Sequence, residues 1–298
     1  MKRSTISRSL AIALPLLLSV WAKPAWPEED YPNAHLLASV QWLRTHRQDP
    51  NVRIVDLRAA MKYVAGHIPG AVHLSLDRIR AEVNGVPKMA APAEQLGRVF
   101  GSLGIDAQTT VVAYDNTGGL HASRLFWTLE YAGHRKVRIL NGGFQAWVAS
   151  GADISETASS YPAKQFEVRL DPSVVITAEE IRSKLGQKDV ALVDARSAGE
   201  YSGRERYSWR GGHIPGAVHI DWVRTVEGLP GGWLPPEELA RLYESQGVTR
   251  DKEVIPYCQT FHRAAHTYFT LRLLGYERVR GYDGSWAEWG NRPDLPLE

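Results

Sequence analysis

Apolar residues in this chain fall into short runs separated by amphipathic stretches, an alternation typical of a parallel α/β fold. A helical pattern at Leu36 to Arg44 precedes a buried-strand pattern at Val52-Arg53-Ile54-Val55-Asp56. A second run, Val111-Val112-Ala113-Tyr114, follows. A third, Val254-Ile255-Pro256-Tyr257, leads through a turn into a helical segment from Ala264 to Leu274 that stops at Gly275. Strands written as unbroken apolar runs are buried on both faces, which predicts a parallel sheet with helices on each side. Pro256 lacks the N–H that a central strand uses, so the strand is expected to end there.

The pattern is written twice. Gly66-His67-Ile68-Pro69-Gly70-Ala71-Val72-His73 recurs unchanged as Gly212-His213-Ile214-Pro215-Gly216-Ala217-Val218-His219. An identical octapeptide marks an internal duplication. Val55-Asp56-Leu57-Arg58 matches Val193-Asp194-Ala195-Arg196, and Val111–Asp115 matches Val254–Cys258. Leu140 to Trp147 matches Gly281 to Trp289 in type. The second copy carries eight more residues between its Asp-x-Arg and its octapeptide, among them Arg204, Arg206 and Arg210. The domains are therefore set at 34–151 and 173–298, with a Ser-, Thr- and Ala-rich linker at 153–171.

The N-terminus follows a different rule. Lys2, Arg3 and Arg8 precede an apolar run, Leu10 to Val20, and Val20-Trp21-Ala22 offers a small-residue cleavage site. Residues 1–22 read as a signal peptide, the mature chain as exported to a periplasm, with no membrane contact after cleavage. A net charge of +2 gives no reason to expect nucleic acid as a partner.

Export gives weight to Cys258, the single cysteine of the 298 residues. An oxidising compartment favours disulfides, yet this thiol has no partner in the chain. It sits on a turn between a strand and a helix N-terminus, where backbone N–H groups and the helix dipole converge. The first copy has Asp115 at that position, and a carboxylate cannot do a thiolate's work, so the first domain is expected to be catalytically silent. The octapeptide histidines, and the Asp56/Arg58 and Asp194/Arg196 pairs, occur in both copies and read as structural.

These motifs, with the closing Gly284-Ser285-Trp286-Ala287-Glu288-Trp289, resemble the rhodanese family of sulfurtransferases over nearly all of the mature chain. The resemblance implies two domains, each a five-stranded parallel sheet flanked by helices, with an inactive first copy. It implies a ping-pong reaction in which Cys258 takes a sulfane sulfur from thiosulfate as a persulfide and hands it to cyanide or a thiol, including a protein thiol. Gln259, Thr260, Phe261, His262 and Arg263 would bind the donor, Arg263 by forking onto its oxyanions, with Asp194 and Arg196 as support behind them. No metal or organic cofactor is implied. Two positions depart from the family pattern. Phe261 stands where many such loops have glycine, so a differently shaped loop is expected. Glu200 stands where mitochondrial-type tandem enzymes have a donor-binding arginine, leaving Arg204, Arg206 or Arg210 as replacements.

Rival readings are 3-mercaptopyruvate as donor, a non-catalytic sulfur carrier, a Cdc25-type phosphatase and a metal site at Cys258, His262 and His266. Mercaptopyruvate enzymes have Gly-Ser-Gly-type loops, which this chain lacks. Phosphatase loops place five residues between Cys and Arg, where this chain has four. The metal site needs helical spacing across what should be a loop.

Overall fold

A computed structural model describes residues 30–298 of the chain. The expected leader, residues 1–22, lies outside the described residues. The first copy contains strands β1 (Leu37–Ala38), β2 (Val52–Asp56) and β3 (Val72–His73), a hairpin of β4 (Arg80–Val83) and β5 (Val86–Ala90), then β6 (Thr110–Tyr114) and β7 (Val137–Leu140). Its helices are α1 (Val40–His46), α2 (Ala60–Val64), α3 (Ala93–Ser102), α4 (Leu120–Tyr131) and α5 (Gly143–Ala149). The second copy contributes α6 (Ala178–Lys184), β8 (Val190–Asp194), α7 (Ala198–Tyr201), β9 (Val218–His219), α8 (Pro236–Glu244), β10 (Glu253–Tyr257), α9 (Arg263–Leu273) and α10 (Ser285–Trp289).

Five parallel strands in the order β1-β7-β6-β2-β3 form the first sheet. The second sheet has three laddered strands, β10-β8-β9, and is completed by single bridges from Val254 to Val279 and from Val175 to Gly281. Pro256 explains the break beside β10. The N–H of Val254 donates to Arg278 O and that of Arg280 to Val254 O, so residue 256 would be the next donor on that side. Proline has none, and the ladder breaks where Ala113 continues it in the first copy.

The first helix begins later than its apolar pattern suggested. Ser39 caps it, its Oγ accepting the Trp42 N–H, while Leu37 and Ala38 are drawn onto the sheet edge beside β7. The β4–β5 hairpin went unforeseen, although its Asn84-Gly85 turn, at φ 53° and 78°, is a readable hairpin signal. The 153–171 stretch forms a strap along the first domain. Ser155 bridges His67, Tyr161 covers the Arg53 guanidinium, and Arg169 and Asp171 donate to the end of α4.

The two copies meet along α4 and α9, each buried on nearly every face. Phe126 packs edge-on against Phe269, and one apolar core runs through both halves. Polar contacts cross the same plane. Tyr268 donates to Glu130, and His266 Nε2 donates to the Gly118 carbonyl at 2.9 Å while its ring stacks on Trp233.

Burial pushes His266 down to about 4, although its bond to Gly118 acts the other way. An unfolded histidine titrates near ~6.5, so as pH falls the unfolded chain takes up the proton first. His266 therefore costs no stability above that pH and progressively destabilises the fold below it. By pH 5 its share of the loss is roughly 2 kcal/mol. Thermal unfolding of His266→Gln from pH 7 to 5 should show a correspondingly shallower decline than the parent; parallel curves would contradict this.

Candidate active site

Cys258 follows β10 directly, at the carboxyl end of the second sheet. The chain leaves β8 toward β9 on one side and β10 toward residues 279–281 on the other. At such a switch point the loops after adjacent strands diverge, here those after β8 and β10. Cys258 lies there at 1% exposure, and α9 starts five residues later at Arg263.

The first copy shows what this turn does with an anion. Asp115 Oδ1 accepts the N–H groups of Thr117 and Gly119, and Oδ2 those of His121 and Ala122, at 2.7 to 3.0 Å. Four backbone donors at the start of α4 thus surround one carboxylate. The flanking strands match too. The Asp56–Arg58 pair and the Asp194–Arg196 pair both close at 2.6 Å, and each arginine also donates to the glycine opening the octapeptide. Tyr114 and Tyr257, just before the turns, each accept an octapeptide N–H, from Ile68 and Ile214. Asp194 and Arg196 thus sit behind the site, fixing the strand ends from which it grows.

The copy that carries Cys258 departs from its twin in backbone chemistry. The left-handed position held by Gly118 (φ 68°) is held by Phe261 (φ 51°), and that of Gly143 (φ 57°) by Ser285 (φ 50°). The loop thus keeps the glycine-like conformation despite the phenylalanine, contrary to the different shape expected. A non-glycine residue there costs on the order of 1–2 kcal/mol. Phe261 offsets it by full burial, its ring lying against Gly281 and edge-on to Trp127 of the first domain at 4.7 Å. It therefore underpins the loop from below. Ser285 compensates differently: its Oγ accepts the N–H groups of Cys258 (3.3 Å) and Phe261 (3.0 Å) and donates to Tyr282 O.

The other expected residues are spread around the turn. The Gln259 amide donates to Tyr207 O and Ser208 Oγ of the inserted segment, and Thr260 is partly exposed. His262 faces the first domain, its Nε2 2.9 Å from Nδ1 of His121. Burial, then His121 and the nearby Arg80, Arg124 and Lys88, hold His262 well below its ordinary value, so the ring is neutral. Arg263 is paired with Glu200, Nη1 to Oε2 at 2.5 Å and Nη2 to Oε1 at 2.7 Å. Burial opposes its charge, but Glu200 and the adjacent Cys258 raise its affinity for the proton. Arg210 is taken up by the carbonyls of Trp289, Arg292 and Leu295, while Arg204 and Arg206 are exposed in the inserted segment. His266, the third member of the metal reading, is committed to Gly118 across the domain interface.

Three features escaped the sequence: the His121 contact, the Ser285 hydroxyl and the Glu200–Arg263 pair. Each joins segments far apart in the chain. Only Ser285, inside the closing motif, left a trace.

The positive φ at 261 predicts an inverted order of substitution costs. Phe261→Ala should lose about 3–5 kcal/mol, and Phe261→Gly about 1–2 kcal/mol less, since glycine relaxes the backbone. Urea unfolding measures both, and an alanine variant as stable as the glycine one would contradict it.

Comparison with known proteins agrees with this architecture. The rhodanese-like domain model matches residues 39–150 and again 177–292. A thiosulfate sulfurtransferase of Azotobacter vinelandii is 36% identical over 91% of this chain and 99% of its own length. The sulfur carrier protein TtuD of Thermus thermophilus is also 36% identical, over 91% of this chain and 98% of itself. The solved structure of the 3-mercaptopyruvate enzyme SseA from Escherichia coli superposes with a TM-score of 0.77 at 28% identity, covering 84% of this chain and 98% of that one. With both domains matched and relatives aligned nearly end to end, the chain belongs to the rhodanese family of sulfurtransferases.

Proposed function

We propose that this sulfurtransferase moves a sulfane sulfur from thiosulfate to cyanide or a thiol through a persulfide on Cys258. One observation carries the reading: Cys258 occupies the turn whose counterpart holds the Asp115 carboxylate on four backbone N–H groups. An attacking thiolate and the persulfide that replaces it are both anions, and a cradle of fixed dipoles suits both. In the first half-reaction the Cys258 thiolate attacks the outer sulfur of thiosulfate. The Cys258 S–S bond forms, the donor S–S bond breaks, and sulfite leaves with its electron pair. In the second, cyanide attacks the terminal sulfur, thiocyanate departs and the thiolate returns. Charge and sulfur balance in each step without a cofactor.

Two other readings draw on likeness to relatives: 3-mercaptopyruvate as donor, and a carrier that exchanges sulfur without turnover. Thiosulfate treatment of the purified chain should add one sulfur atom to its mass, and cyanide should remove it over repeated turnovers. Cys258→Ala should do neither, and turnover by that variant would sink the mechanism. Stoichiometric exchange without turnover would favour the carrier, and a strong preference for 3-mercaptopyruvate in a donor panel would move the substrate.

We further propose that the chain is exported to a periplasm after removal of residues 1–22, on the strength of the basic and apolar pattern there. N-terminal sequencing of protein recovered from a periplasmic fraction should begin at Lys23; intact Met1 in the cytoplasm would refute it.

A further inference from the structure

The Glu200–Arg263 pair joins the loop after β8 to the start of α9, beside Cys258. Glu200 comes from α7, in the loop after β8, and Arg263 opens α9, after β10. Both terminal nitrogens of the guanidinium are used, one on each carboxylate oxygen. The carboxylate is held in place from behind. Glu200 Oε2 accepts the Ser197 N–H and Ser197 Oγ accepts the Glu200 N–H, a reciprocal cap that fixes the side chain. Glu200 is 4% exposed, whereas the Arg263 side chain is 25% exposed. Against the cost of burial, Arg263 keeps Glu200 below the usual carboxylate range, so it is ionised at neutral pH. Asp221 adds a further carboxylate near both.

The silent copy lacks the pair. Tyr63 and Tyr201 are equivalent, each stacking on its octapeptide histidine and donating to the alanine after the Pro-Gly. The residue before Tyr201 is Glu200, and the one before Tyr63 is Lys62. The residue that opens α4, where Arg263 opens α9, is Leu120. The first copy closes this turn on Asp115 instead, so the pair accompanies the thiol.

A guanidinium bound bidentately by a fixed carboxylate has no net charge to offer a donor. We infer that Glu200 is a specificity-determining residue, which by holding Arg263 lowers the advantage of a dianionic donor such as thiosulfate and lets the site also take sulfane donors of lower charge, such as alkyl thiosulfonates and organic persulfides. This rests on the sulfur-transfer reading above. With an alkyl thiosulfonate the Cys258 thiolate attacks the terminal sulfur, the S–S bond of the donor breaks and the sulfinate leaves with the electron pair. Glu200 acts through Arg263 and touches neither sulfur.

The test compares thiosulfate, a dianion, with methanethiosulfonate, a monoanion, each with cyanide as acceptor. Removing one negative charge helps a dianion twice as much in free energy as a monoanion at the same distance. Glu200→Gln should therefore raise kcat/KM for thiosulfate about tenfold, through KM, and that for methanethiosulfonate about threefold. Ser197→Ala, which loosens the carboxylate without removing it, should move the same ratio in the same direction by less and stands in if the glutamine variant fails to fold. Equal changes for the two donors, or a fall in kcat for both, would overturn the inference and leave sulfur transfer intact. Absence of a Cys258 persulfide with either donor in the parent chain would instead overturn the transfer reading.

Discussion

One buried ion pair ties the first domain of this molecule to the domain that carries Cys258. Arg124, on α4 of the first domain, reaches Asp283 of the second at 2.6 Å, and both side chains are almost wholly out of water. Two charges in such a place are tolerated only when their remaining valences are met. Most of them are met here: Arg124 also donates to Phe261 O in the cysteine loop and to Lys88 O in the β4–β5 hairpin, and Asp283 accepts the Ala90 N–H, while Arg124 Nε is buried without a hydrogen-bond partner among the described residues. One guanidinium and one carboxylate thus register α4, the hairpin, the cysteine loop and the segment leading into α10. Loss of either partner would strand a buried charge next to the backbone that carries Cys258.

Duplication supplies an internal control for the chemistry. Both copies build the same frame, a forked Asp-x-Arg pair beneath a strand end and a turn opening a long helix. In one, the turn closes on its own carboxylate and is finished. In the other, the carboxylate is replaced by a thiol, two glycines by Phe261 and Ser285, and Lys62 and Leu120 by Glu200 and Arg263. At the turn itself, the left-handed non-glycine residues, Phe261 and Ser285, lie in the copy that keeps the thiol. The first copy still supports it, since Trp127, Arg124 and His121 all approach the cysteine loop from the first domain.

Much of this was legible in the residues. Apolar runs, the repeated octapeptide and the strand-turn-helix around Cys258 are local or repeated signals, and local signals survive in one dimension. The α/β class, the duplication and the helix after Cys258 followed from them. So did the trouble at Pro256, whose missing N–H is the gap in the second sheet's ladder. The start of the first helix differs from the apolar pattern because periodicity does not tell an edge strand from a helix turn, and packing against β7 decides it.

What the sequence could not carry were interactions between distant segments. Phe261 looked like an obstacle to the loop, and only its burial against Trp127 and Gly281 shows how a left-handed phenylalanine is sustained. Arg263 looked like a free cation for a donor, and only the fold brings Glu200 to both of its nitrogens. By itself the sequence determined the architecture, the duplication and the one thiol, because these rest on pattern and residue type. The tertiary structure decided the charge around that thiol, because charge at a site is a sum over neighbours that the chain order does not reveal.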